Sequence, residues 1–214
     1  MPRPSRARAL TGGLVWLLVV QYVVVELLAV AAWTGTSYDA ARDVVSDLGR
    51  PACLPDGGCS PWAAAFNASL GVHGLLVILG AGLLAPLLPR WRPAVVALFA
   101  ITAAGNAGVG LFPLGEGVTG AHYVAATAAI GGATLAVGVT GVAALADPAL
   151  RRYALATLVA TGVGVLGVVL LVGDGTTGLA ERIAIYPVVA WYVATGALAL
   201  VSVRAGAPAS RVAS

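Results

Sequence analysis

Apolar residues gather along this chain in six long runs, approximately Thr11 to Trp33, Trp62 to Leu88, Ala94 to Phe112, Gly120 to Ala146, Tyr153 to Val172, and Ile183 to Val203. Each supplies the roughly 20 residues that a helix rising about 1.5 Å per residue needs to cross a hydrocarbon core of about 30 Å. In lipid such a run becomes helical, because only a helix pairs its own backbone groups where water is absent. The runs stop at interface or turn residues: Trp33, Trp62, the Pro89-Arg90-Trp91-Arg92-Pro93 link, Pro113, Asp147-Pro148 and Gly173-Asp174-Gly175. The pattern predicts an all-α, polytopic bundle of six transmembrane helices over residues 11–203. A basic tail (1–10) precedes it, a short tail (204–214) follows, and a long loop (34–61) joins the first two spans.

Composition excludes the alternatives. With 59% hydrophobic and 10% charged residues among 214, and a mean hydropathy of +0.94, neither a soluble domain nor a disordered chain fits. The 28 glycines follow no three-residue period, so collagen is excluded too. All twelve basic residues are arginines. Arg3, Arg6, Arg8, Arg90, Arg92, Arg151, Arg152, Arg204 and Arg211 fall on one side with a single acid, Asp147. The opposite side carries Arg42, Arg50 and Arg182 with Asp39, Asp43, Asp47, Asp56, Glu116, Asp174 and Glu181. Retention of arginine on the cytoplasmic side then predicts a plasma-membrane protein with both termini in the cytoplasm. No contiguous basic stripe exists, so the basic balance reflects topology and no nucleic-acid partner is expected. A cleavable signal peptide competes for the first run, where Ala29-Val30-Ala31 resembles a cleavage site; its length, Gln21 and Glu26 speak against it.

Cys53 and Cys59 lie in the long outer loop, where an oxidising compartment permits a disulfide that would staple a Pro/Gly-rich segment. Their C-x5-C spacing is not that of a redox pair, and two thiols do not complete a tetrahedral metal site, so neither metal nor cofactor is expected. Small residues such as Gly131, Gly132, Gly138, Gly141, Gly162, Gly164 and Gly167 let helices approach closely. No G-x-x-x-G occurs in the spans, and oligomeric state stays open. Phosphate loops, nucleophile elbows, zinc-helix motifs and dinucleotide fingerprints are absent.

Polar residues inside the runs carry the functional information. Glu26 stands in an aliphatic helix, where a carboxylate costs about 2–3 kcal/mol, so it faces protein or water. It is either one half of a pair joining two helices or an acid that handles a proton or ligand. Arg182, opening the sixth run, and His122, opening the fourth, share its depth and are its candidate catalytic companions. Asn67, Asn106, Tyr123 and Tyr186 occupy the same layer as candidate ligand-binding groups. Asp47, within Ser46-Asp47-Leu48-Gly49, is read either as a turn cap or as a group folding over the mouth to meet Arg182 or a ligand. His73, near the midplane, is read as a neutral ring bonded to a facing helix. Asn67-Ala68-Ser69 matches a glycosylation sequon, which is discounted because it opens a helix at the membrane surface.

Four segments resemble a known family: Ser46-Asp47-Leu48-Gly49; Phe66-Asn67-Ala68-Ser69-Leu70; Gly110-Leu111-Phe112-Pro113 followed by His122; and Gly178-Leu179-Ala180-Glu181-Arg182-Ile183 before Trp191. In that order, at the outer ends of helices, they look like the prokaryotic membrane family catalogued as domain of unknown function 998. The resemblance spans about Leu14 to Val203, and Cys53 to Cys59 reads as an addition to the family pattern. Membership implies a six-helix integral membrane protein and brings no activity with it.

Three functions remain open. The preferred one is an outward-opening polar pocket that binds or transforms an amphipathic or isoprenoid-like molecule, with Glu26 as acid. A proton-coupled permease and a non-catalytic assembly subunit are the alternatives. The pocket is preferred because no chain of ionisable groups reaches the cytoplasmic side, where Leu83-Leu84 and Leu87-Leu88 fill the helices.

Overall fold

The computed structural model describes residues 5–115, 117–173 and 178–205. Glu116, Asp174, Gly175, Arg3, Arg211 and most of the expected C-terminal tail lie outside the described residues. The first span, Arg6–Ala31, consists of α1 (Arg6–Leu17), a 3-10 turn (Leu18–Val20) and α2 (Gln21–Ala31). Then follow α3 (Ala63–Leu84), α4 (Arg92–Leu111), α5 (Thr119–Ala144), α6 (Arg151–Gly173) and α7 (Gly178–Ala205). Among the described residues there are six spans long and apolar enough to cross a membrane, and the protein is an all-helical integral membrane bundle.

Local chemistry sets the ends of these helices. The Ser5 hydroxyl accepts from the Arg8 backbone N–H at the start of α1, and Pro93 opens α4, where its missing N–H has no intrahelical partner to lose. Asp147 accepts from the Ala149 N–H in the turn before α6. One boundary departs from the hydropathy pattern. Helix α7 begins at Gly178, five residues before Ile183, which places Glu181 and Arg182 within its first turns. Glu181 stands among the outer-side acids in the sequence and Arg182 at the mouth of the sixth run; folded, both are buried and paired.

Successive helices pack on one another, and the first span closes the ring by lying against both α3 and α7. Close crossings depend on missing side chains. A Cβ on Gly105 would run into the Ala129 backbone across the α4–α5 contact, and one on Gly167 into the Ala184 backbone across α6–α7. Gly13 and Gly196 face one another's carbonyls between α1 and α7. Of the glycines marked in the sequence, Gly131 and Gly162 instead face open space, because a small residue signals a close approach only when its helix turns it inward.

Trp16, Phe99, Trp191 and Tyr192 form an aromatic layer across the middle of the bundle, with Trp16–Trp191 centroids 5.2 Å apart and Phe99 stacked on Trp191 at 6.2 Å. Their indole N–H groups are satisfied within the wall: Trp16 donates to the Val77 carbonyl and Trp191 to the Thr157 hydroxyl. On one side of this layer lies the arginine end, where Arg8 donates to the Gly82 carbonyl and Arg90 to the Val142 carbonyl. On the other lies the loop end. There Cys53 and Cys59 form a disulfide, and the Cys59 backbone pairs with Thr34 in an isolated antiparallel bridge.

Candidate functional site

The site is built where residues 38–50 fold back over the start of α7. Backbone bonds fix that docking: Gly178 donates to the Arg42 carbonyl and Leu179 to the Ala41 carbonyl, both at 3.0 Å. Arg182 then serves as a hub. Its Nε and Nη2 lie 3.2 and 3.1 Å from Glu26 Oε1; its Nη1 donates to the carbonyls of Ala40, Asp43 and Gly178, and its Nη2 to the Tyr38 hydroxyl at 2.8 Å. Tyr186 donates to the same Glu26 oxygen at 2.7 Å. Glu26 is 1% exposed; all of these bonds fall on Oε1, while its buried Oε2 makes no hydrogen bond, so the charge there rests on Arg182. Burial also raises the Tyr38 phenol, against the pull of Arg182, so it stays protonated as a donor.

A second cluster lies beside the first. Glu181 accepts from the Val45 N–H at 2.6 Å and from the Ser46 hydroxyl at 3.3 Å. Ser46 Oγ lies 3.2 Å from His122 Nε2, while His122 Nδ1 lies 2.9 Å from the Phe112 carbonyl. A carbonyl only accepts, so Nδ1 carries the proton, and in the neutral ring Nε2 is an acceptor that competes with Glu181 for the single Ser46 hydroxyl proton. Asp47, in the 3-10 turn Val45–Gly49, pairs with Arg50 at 2.8 Å; burial raises its carboxyl and Arg50 opposes the shift.

Two cavities meet at this cluster. A vestibule of about 320 Å³ under the loop is lined by Arg42, Asp47, Arg50, His122 and Tyr123. A deeper cavity of about 70 Å³ runs down toward His73, Thr102, Asn106 and Tyr192. Ser46, Ala126, Ile130 and Glu181 line both, so the two cavities adjoin across these side chains, with an apolar wall on α5. A third cavity, about 430 Å³ and walled by Trp16, Leu84, Phe99, Tyr153, Trp191 and Leu198, lies on the arginine side of the aromatic layer.

The sequence profile of the family described as "Protein of unknown function (DUF998)" matches residues 12–198. The chain belongs to this family. No curated protein and no solved structure matches it. In this DUF998 protein the four segments that carry the family resemblance touch one another around the cleft. Asn67 Nδ2 donates to the Gly49 carbonyl at 2.8 Å, a Cβ on Gly110 would meet the Asn67 carbonyl, Phe112 holds His122, and Ser46 joins His122 to Glu181.

The expected site residues divide accordingly. Glu26, Arg182 and Tyr186 come together, while His122 sits apart from them, with Ser46 and Glu181. Neither Glu26 nor Arg182 lines a described cavity. Asp47 reaches Arg50 and not Arg182, Asn106 lines the deep cavity and donates to the Thr102 carbonyl, and exposed Tyr123 lies at the vestibule rim. Asn67 faces neither cavity and anchors the Val45–Gly49 turn. Sequence reasoning passed over Ser46 as a turn residue and Glu181 as a solvent acid. The available signal for Glu181 is its place directly before Arg182, the residue expected to open the sixth span.

Proposed function

We propose that this DUF998 protein is a plasma-membrane protein that takes the head of an amphipathic molecule into the cleft beneath the loop end. The adjacency of a polar vestibule and a narrow inner cavity, which share Ser46, Ala126, Ile130 and Glu181, carries this reading. An amphiphile entering there places its head among Ser46, His122 and Glu181 while its chain leaves across Ala126 and Ile130 toward lipid. Ser46 and His122 are the groups that touch it. Glu26, Arg182 and Tyr186 act one layer away, fixing α7 and the loop that form the mouth. The arginine asymmetry and the disulfide support a loop end facing outside the cell and termini in the cytoplasm.

Mass spectrometry of lipids retained by the detergent-purified protein tests the reading. Wild type is expected to retain one amphiphile enriched over the bulk membrane lipids, and Ala126→Trp, which fills the shared wall, to lose it. Equal enrichment in both proteins overturns the proposal. A permease reading draws on the third cavity, which approaches the aromatic layer from the other end; proton-linked uptake into liposomes is its test.

A further inference from the structure

The floor of the deep cavity holds two buried polar atoms without partners. His73 on α3 is 6% exposed and Tyr192 on α7 is 1% exposed; both line the cavity, and their rings meet edge to face with centroids 6.1 Å apart. His73 Nδ1 and the Tyr192 hydroxyl make no hydrogen bond to protein. The ring also stands against the Val19 backbone in the 3-10 turn of the first span. With the single proton of a neutral imidazole turned to that side, Nδ1 is an acceptor that lacks a donor. Tyr192 is the reverse, a donor that lacks an acceptor.

Each such atom costs about 1–3 kcal/mol when buried unpaired, and Phe and Leu would fill the same space without that cost. The walls extend the pattern. Thr102 gives its proton to the Leu98 carbonyl, which leaves its oxygen able to accept, and Asn106 has spent one N–H on the Thr102 carbonyl. An alkyl terminus placed here leaves both orphans unpaired. A charged group finds no opposite charge at the floor, since the Glu26–Arg182 pair lies outside the lining and Glu181 is engaged at the waist. A hydroxyl satisfies both atoms at once, donating to His73 Nδ1 and accepting from Tyr192. A volume of about 70 Å³ suits a group the size of a hydroxymethyl, given that a water occupies about 30 Å³ of liquid. The vestibule agrees with a neutral head, because Arg50 is already paired with Asp47 and Arg42 with Asp39.

We propose that the deep cavity is a hydroxyl-recognition site formed by His73 and Tyr192, and that the amphiphile carries a neutral polyol head such as a glycerol ester. This rests on the cleft being a lipid site. The test measures calorimetric binding of 1-monooleoylglycerol and methyl oleate, which share a chain and differ in the head, to the full-length protein in detergent. Wild type is expected to bind the glycerol ester about tenfold more tightly, the combined net effect of the two buried hydrogen bonds its hydroxyl makes. In Tyr192→Phe and in His73→Leu, each of which removes one of the two, the preference is expected to fall to about threefold or less, with methyl oleate affinity changed by less than the glycerol ester's. Equal binding of both lipids by wild type, or a preference that survives both substitutions, overturns hydroxyl recognition while leaving the cleft as a lipid site. Failure of either lipid to bind overturns the cleft reading and this one together. Ligand-free Tyr192→Phe is expected to melt no lower than wild type; a lower melting temperature with equal lipid affinities assigns the floor to bound water and overturns the proposal.

Discussion

Arg182 and Glu26 illustrate what one residue does to another inside a low-dielectric bundle. Removing the carboxylate charge leaves a guanidinium that is 8% exposed without its counter-charge, and breaking one side of such a pair costs about 3–5 kcal/mol. Glu26→Gln is therefore expected to lower the yield of folded protein and its melting temperature, and Glu26→Gln with Arg182→Gln to recover part of the loss. A thermal double-mutant cycle in detergent measures the coupling; normal stability in Glu26→Gln would instead favour a working acid. The loop carboxylates respond to pH in opposite directions. Asp47, raised by burial, contributes stability that is complete below the ordinary carboxyl value of about 4 and is lost as pH rises through its elevated value. Asp39, held low mainly by the Ala41 N–H and further by Arg42, contributes stability that is lost as pH falls through its lowered value. Hydrogen exchange, corrected for intrinsic rate, is expected to show less protection of residues 45–50 at pH 7 than at pH 4, and Asp47→Asn to weaken that trend, because Glu181 also holds Val45 and Ser46. Depth along the sequence was enough to pair Glu26 with Arg182, since both are costly in lipid at the same level. It did not separate His122 from them, because rotation about a helix axis decides neighbours and rotation is set by packing that hydropathy does not encode.

Among the elements, spans were legible wherever apolar length alone decides them, and the observed helices differ from the expected runs mainly at their ends. The start of α7 was hidden because the partners that permit Glu181 and Arg182 to enter the bundle lie some 140 residues away, in the 38–46 loop. Glycine content was equally visible, but not which glycines face a neighbour. Gly105→Ala is expected to destabilise by about 1–3 kcal/mol through collision with the Ala129 backbone, whereas Gly71→Ala and Gly162→Ala, with nothing near the new methyl, are expected to be neutral or stabilising by up to about 1 kcal/mol. Melting temperatures of the three variants in one detergent check this. Joint replacement of Cys53 and Cys59 by serine is expected to cost about 2 kcal/mol by releasing a short closed loop, with increased proteolysis near residues 53–59 and the spans unaffected.

For the molecule as a whole, charge and cavity both distinguish the two ends. A single cysteine at position 149, exposed in the turn before α6, in a chain lacking Cys53 and Cys59, is expected to react with an impermeant maleimide only after the cells are opened. Labelling of intact cells would invert the proposed orientation. The aromatic layer between the deep cavity and the arginine-side cavity has an optical consequence. Of five tryptophans, Trp16 and Trp191 stand in that partition, whereas Trp33, Trp62 and Trp91 lie near the ends of the bundle. Quenchers soluble in water reach the outer three first, so the residual blue emission belongs to the inner pair. Trp16 and Trp191 both line the arginine-side chamber, so its occupation alters the intrinsic fluorescence of the unlabelled protein, which makes the septum its own reporter.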